Sequence, residues 1–229
     1  MNTPSPSVPP QERRRIFVVD DHPLVRESLA TLIERQADLC VCGQAEKSGE
    51  AFEAISRLQP DVVLVDLSLQ GESGLELIKQ LQNMTEPPRI LVLSMHDEML
   101  YGERALRAGA LGYVMKRATT GKVIEGIRQV LRGKLFISEA LAERMAARYV
   151  GKGGTAGESP LARLSDREIE VFQLLGQGVE TRTIAEGLHL SPKTVQVYCG
   201  RIKEKLGLDS FTALISEAVR WFENENRTG

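Results

Sequence analysis

A chain of 229 residues is long enough for two domains, and a formal net charge of −2 argues against a membrane surface or a generally basic nucleic-acid coat. No apolar stretch approaches the length of a membrane span. The Pro/Ser-rich N-terminus, MNTPSPSVPPQERRR, lacks the apolar core of a signal peptide, so residues 1–14 are expected to be a disordered tail on a cytoplasmic protein.

The first domain, expected over residues 15–133, alternates strand and helix. Ile16 to Val19 is an apolar run that ends at Asp20 and Asp21, and Pro23 then opens a helix carrying Leu24, Val25, Leu29, Leu32 and Ile33. The strand-like LCVCG follows; Cys40 and Cys42, two apart, point to one sheet face, and buried free thiols in a reducing compartment account for them. A second helix follows Ser48, with Phe52, Ile55 and Leu58 as its apolar face, until Pro60 stops it. Val62 to Val65 ends at Asp66, and Gly74 begins a third helix. Ile90 to Leu93 ends at Ser94, with a helix over 98–108 behind it; Tyr113 to Met115 ends at Lys116, with a helix over 119–132. Continuous apolar runs of this kind suit parallel strands buried on both faces. The expected fold is an α/β doubly wound parallel sheet of five strands, flavodoxin-like, followed by a small all-α domain.

Ligand sites in open parallel sheets lie at the carboxyl ends of strands. Asp20, Asp21, Asp66, Ser94 and Lys116 therefore gather there. Three carboxylates in one crevice repel one another, and a hard divalent cation such as magnesium, with Lys116 beside it, is the economical way to complete the site. A dehalogenase-type phosphatase needs a second Asp two residues after its nucleophile, where this chain has Ser68; a flavodoxin needs a phosphate loop where this chain has Asp20-Asp21-His22-Pro23.

Over roughly residues 15–132 the chain resembles the receiver domain of bacterial two-component response regulators. The carriers are Asp20–Asp21, VLVDLSLQGESGLELI around Asp66, LVLS ending at Ser94 and GALGYVMK ending at Lys116. The resemblance implies strand order 2-1-3-4-5 and a phosphoryl group accepted by Asp66 from a sensor histidine kinase. It also implies magnesium held by Asp20, Asp21, Asp66 and the backbone carbonyl of Ser68, with Lys116 and the Ser94 hydroxyl binding the phosphate. Phosphate on Asp66 would draw in Ser94 and let Tyr113 turn inward as a switch, unless Tyr113 is a fixed core aromatic. The chain departs from the family pattern at several places. Gln70 and Arg117 stand where prolines are usual; a cis Lys116–Arg117 bond would cost roughly 3 kcal/mol, so a trans bond or a strained loop are both open. Met95 either narrows access for a phosphodonor or turns outward. Ser68 and His96 occupy the two variable positions that usually set acyl-phosphate lifetime, and His96 either orients water or faces solvent.

Residues 134–160 read as a linker containing a helix over 138–150 and the flexible GKGGTAGESP. Four helices follow within 161–229. Ser165 and Glu168 form a capping box for the first, the second covers 181–188, Ser191 and Pro192 begin the third, and Asp209 or Ser210 starts the fourth. LSDREIEVFQLLGQG, IAEGLHLSPKTV and IKEKLGL resemble the DNA-binding domain of the LuxR/NarL/FixJ family, over about 161–222. That resemblance implies a helix-turn-helix whose recognition helix, 193–205, enters the major groove of double-stranded DNA. Lys193, Thr194, Gln196, Val197, Arg201, Lys203 and Lys205 are the expected contacts, with Gln196 able to read adenine. The domain's acidic residues slightly outnumber its basic ones, so modest affinity and a homodimer formed on phosphorylation are expected. The reading is a phosphorylation-controlled, DNA-binding transcription regulator rather than an enzyme. Its rival is a phosphorylation-dependent protein-interaction module whose helical domain does not bind DNA.

Overall fold

Five parallel strands form the central sheet: β1 (Arg14–Val19), β2 (Leu39–Ala45), β3 (Val62–Val65), β6 (Arg89–Ser94) and β7 (Gly112–Met115), in the order β2-β1-β3-β6-β7. This is the computed structural model of the chain, and it describes residues 13–69, 72–149, 160–188 and 190–227. The expected strand order is borne out. A two-stranded antiparallel pair, β4 (Ser68–Leu69) with β5 (Glu72–Ser73), stands beyond the end of β3.

The apolar runs divide between the two faces by the strand period of two. Phe17, Val19, Val63, Val65, Ile90 and Val92 face helices α2 (Ser48–Leu58), α3 (Gly74–Gln82) and α4 (Glu98–Ala108), and are packed with Ile55, Ile78 and Ala105. Ile16, Val18, Val62, Leu64, Leu91 and Leu93 face α1 (Pro23–Glu34) and α5 (Thr120–Leu131), and are packed with Ile33 and Ile127. Each of these fully buried side chains contributes about 1.5–3 kcal/mol of transfer free energy. The result is a sheet with no wet face, as the sequence runs require. In α1 only Leu29 and Ile33 are buried; Leu24 is 78% exposed because Pro23 starts the helix at the rim of the sheet.

Some expectations shift. Arg14 already belongs to β1, and Arg13 bonds Glu34, so the expected 14-residue tail is too long; residues 1–12 lie outside the described residues, as do Gln70 and residues 150–159 of the linker. The β1–β2 register slips beside Cys42, between the pairs Ile16–Val41 and Phe17–Gly43, and both Cys40 and Cys42 are half-buried rather than buried. Among the described residues every peptide bond is trans, that between Lys116 and Arg117 included.

The linker helix α6 (Glu139–Tyr149) lies on α4. Gly102 permits this: a Cβ there would stand 2.4 Å from Leu141 Cδ2. The Ser138 amide donates to Glu98 Oε1 at 2.8 Å and fixes the start of the helix.

The helical domain comprises α7 (Asp166–Gly176), α8 (Thr181–Gly187), α9 (Pro192–Leu206) and α10 (Phe211–Arg227) around Ile169, Phe172, Ile184, Val195, Ile202 and Leu214. The capping box at Ser165 and Glu168 is present, and Lys205 Nζ, at the end of α9, reaches Glu168 Oε2 at 2.6 Å. Burial works against the Glu168 carboxylate, but the bonds from Lys205 and Ser165 outweigh it and hold the pKa below the ordinary value of 4.5. A depressed carboxyl pKa gives stability that is present above the unfolded value and lost as the pH falls through the folded one. Glu168→Gln is therefore expected to remove stability at neutral pH and flatten its acid dependence. Urea melts at about pH 6 and about pH 3.5 check this, the variant's midpoint moving less than the wild type's.

Candidate functional site

Asp20 follows β1, Asp66 follows β3, Ser94 closes β6 and Lys116 follows β7, so adjacent parallel strands deliver all four to one end of the sheet. Asp20 and Asp66 are almost wholly buried, at 1% and 2% exposure, and Ser94 is fully buried. Lys116 Nζ lies 2.7 Å from Asp20 Oδ2 and 2.6 Å from Asp66 Oδ2, bridging the two carboxylates. The outer oxygens are held by backbone: the His22 amide donates to Asp20 Oδ1 at 2.9 Å and the Ser68 amide to Asp66 Oδ1 at 3.2 Å. Gly74 shapes the floor, since a Cβ there would fall 2.2 Å from the Asp66 carbonyl oxygen.

Charge in this crevice does not balance. Burial pushes the Asp66 pKa up to about 6, against the pull of Lys116. Burial also works against the Lys116 ammonium, but Asp66 and Asp20 outweigh it and raise its pKa. Asp21 Oδ1 is a buried oxygen without a hydrogen bond, with the His22 ring nitrogen 2.6 Å away. One ligand atom from each of Asp20, Asp21, His22 and Asp66 can be chosen so that all lie within 4.8 Å of one another. Hard oxygen donors with surplus negative charge fit a magnesium ion.

The neighbouring residues settle the alternatives left open by the sequence. Met95 turns outward and is 67% exposed, leaving the crevice unobstructed by its side chain. Tyr113 is already inward, 3% exposed, its hydroxyl donating to the His96 carbonyl at 2.8 Å. An inward turn is therefore not a motion left for this arrangement to make; the hydroxyl has found its acceptor and the ring fills the α4 side of the core. His96 does not face solvent. Its Nε2 is 2.7 Å from Ser68 Oγ, its ring stacks on Tyr101 with centroids 4.6 Å apart, and its amide donates to Ser94 Oγ at 3.2 Å. Burial, aided by Lys116, lowers its pKa to about 4, so the ring is neutral.

Helix α7 of the second domain packs beside this site. Gln173, 5% exposed, reaches His96 Nδ1 through Nε2 at 3.1 Å and accepts from the Tyr101 hydroxyl at 2.8 Å. Arg104 of α4 pairs with Asp166 at 2.9 Å and donates to the Leu164 carbonyl at 2.6 Å, while Lys79 reaches Asp166 at 3.3 Å. Sequence reasoning missed this group. Its one signal is a polar Gln173 set between the apolar Phe172 and Leu174.

On α9, Val195, Cys199 and Ile202 are buried, and the opposite face exposes Lys193, Gln196, Val197, Gly200 and Arg201. Thr194 and Lys203 are half-buried, and Thr194 Oγ1 shares a 2.8 Å hydrogen bond with the Ser191 hydroxyl of the cap. Glu204, not among the expected contacts, is exposed as well. Lys205 is set apart from the expected group, since its ammonium is engaged by Glu168.

The chain matches the response regulator receiver domain over residues 16–128 and the LuxR family of bacterial regulatory proteins over residues 162–218. It is 37% identical over 205 residues to the transcriptional activator protein ExaE of Pseudomonas putida, covering 89% of this chain and 95% of that one. With the response regulator UvrY of Escherichia coli it shares 34% identity over 205 residues, 90% of this chain and 93% of that one. A crystal structure of a LuxR-family two-component response regulator from Aurantimonas sp. covers 61% of this chain and 99% of its own, with a TM-score of 0.56 and 34% identity. A structure of two RcsB dimers bound to two parallel DNAs covers 90% and 97%, with a TM-score of 0.54 and 25% identity. The chain belongs to the two-component response regulators that join a receiver domain to a LuxR-type DNA-binding domain.

Proposed function

We propose that Asp66 is the residue through which this transcription regulator is controlled, by taking a phosphoryl group from a sensor histidine kinase. The observation that carries the reading is the Asp20–Lys116–Asp66 bridge at the carboxyl end of the sheet. Asp66 offers a carboxylate oxygen to phosphorus, and the bond from phosphorus to the donor breaks as the acyl phosphate forms. Lys116, already beside that oxygen, stays with the product as a point charge, and Ser94 offers a hydroxyl donor from the next strand. Asp20, Asp21, Asp66 and the Ser68 carbonyl would hold magnesium, which supplies positive charge to the transferring phosphoryl oxygens. The output is duplex DNA contacted by α9 through Lys193, Gln196, Val197, Arg201 and Lys203, with a homodimer as the active form; RcsB dimers on DNA support that geometry of use. No helix among the described residues is long and apolar enough to cross a membrane, and free Cys40, Cys42 and Cys199 suit the reducing cytoplasm.

Acetyl phosphate with magnesium is expected to place one phosphoryl group on the peptide containing Asp66, and EDTA to abolish the adduct. Magnesium alone should shift amide resonances near Asp21. An adduct that forms in EDTA, or no shift with magnesium up to the order of tens of millimolar, would overturn the site.

A further inference from the structure

We infer that Gln173, a residue of the DNA-binding domain, is a positioning residue of the receiver's phosphorylation site, acting through His96; the inference rests on Asp66 being the phosphoacceptor. The two domains meet in a polar chain: the Ser68 hydroxyl, both nitrogens of His96, the amide of Gln173 and the Tyr101 hydroxyl. Ser68 lies two residues after Asp66 and donates its backbone amide to that carboxylate, so the chain begins at the acceptor itself.

The chain has a direction. Gln173 Oε1 accepts from Tyr101, which leaves its Nε2–H₂ to donate to His96 Nδ1. A ring nitrogen that accepts fixes the proton on the other nitrogen, so His96 Nε2–H donates to the Ser68 hydroxyl. The ring is held in one tautomer and one orientation by a residue 77 positions away, across the domain boundary. Stacking on Tyr101 fixes its plane, and Tyr101 is itself bonded to Gln173, so the amide controls both contacts.

The other end of the chain leads to the switch serine. The His96 amide donates to Ser94 Oγ. A Ser94 hydroxyl turned toward a phosphoryl group on Asp66 no longer accepts that bond in the same place. His96 then moves with it, and the Gln173 contact is strained. A cavity of about 340 Å³, lined by Ser68, His96, Tyr101 and Gln173 together with Leu188 of the second domain, gives the ring room to do so. Coupling of this kind is reciprocal: if phosphate on Asp66 loosens Gln173 from His96, loss of Gln173 favours phosphate on Asp66 by the same factor.

The test uses the full chain, acetyl phosphate and magnesium, and reads the phosphorylated fraction at steady state and its decay after donor removal. Gln173→Leu keeps the volume and removes both bonds; a change of about fivefold or more in the equilibrium toward phosphorylation is expected. Tyr101→Phe keeps the stack, deletes one hydroxyl, and should move the same quantity less. The deciding measurement is the cycle with His96→Ala: in that background Gln173→Leu should have no further effect. Additive effects would mean that Gln173 is only part of the domain contact, and would sink the inference. The imidazole nitrogen shifts of His96 give a second readout that needs no phosphate. Gln173→Leu should shift Nδ1, and an unmoved resonance also overturns the proposal. Absence of any adduct on the wild type, with the expected imidazole shift intact, would instead remove Asp66 as acceptor and leave the Gln173–His96 contact standing.

Discussion

Asp66→Asn is expected to leave no measurable phosphoryl adduct after treatment with acetyl phosphate or a kinase, while the fold stays intact. The amide oxygen can still accept from the Ser68 amide or from Lys116, but not both, and its nitrogen cannot act as the carboxylate nucleophile. The structural penalty is small for a stated reason. Burial raises the Asp66 pKa, so the ionised carboxylate is the form the crevice disfavours; a neutral group of the same shape relieves repulsion with Asp20. Lys116 keeps Asp20 at 2.7 Å and is not left unpaired. Intact-mass spectrometry and a thermal melt decide the matter together. A full adduct on the Asn variant would place the acceptor elsewhere, and collapse of the melt would mean that lost labelling reports misfolding.

The positions of Asp20, Asp66, Ser94 and Lys116 were legible because each terminates an apolar run, and a parallel sheet delivers the ends of its strands to one edge. The helix limits were legible where a residue does local work: Pro23 and Pro192 at first positions, Ser165 with Glu168, Gly207 past the end of α9. What the sequence did not disclose are pairs between groups far apart in the chain. Lys116 bridging Asp20 needs the sheet, since the two follow β7 and β1, which are separated across it by β3 and β6. Gln173 meeting His96, and Arg104 meeting Asp166, need two domains in contact, and no periodicity encodes that. Tyr113 shows a subtler limit. Its place three residues before Lys116 suggests a switch position, but which way the ring points depends on an acceptor, the His96 carbonyl, in another loop. Lys205 shows a similar limit: its charge suggests a phosphate contact, and its ion pair with the buried Glu168 of α7, 37 positions earlier, needs the folded domain to be seen.

That division of the basic residues leads to the second large effect, on DNA. Gln196, Val197, Gly200 and Arg201 lie on one exposed stripe of α9 at spacings of three and four, the stripe that would enter a major groove. Gln196→Ala is expected to weaken binding to the preferred site by about 1–3 kcal/mol and to change binding to random duplex little, because base contacts carry the sequence information. Arg201→Ala and Lys203→Ala should weaken both duplexes and lower the salt slope by about one unit each, as expected when one phosphate contact is lost. Val197, 45% exposed beside Gln196, adds an apolar surface for a thymine methyl. Lys205→Ala should behave unlike any of these. Removing it leaves Glu168 with only the Ser165 bonds, so the domain is expected to lose about 1 kcal/mol of stability, a modest figure because Lys205 itself is partly exposed, while the salt slope stays the same. Isotherms at two salt concentrations, on specific and random duplex, with a melt of each variant, separate the roles. If the phosphorylated protein binds no duplex at low salt, the stripe is not a DNA face and α9 serves a protein partner instead.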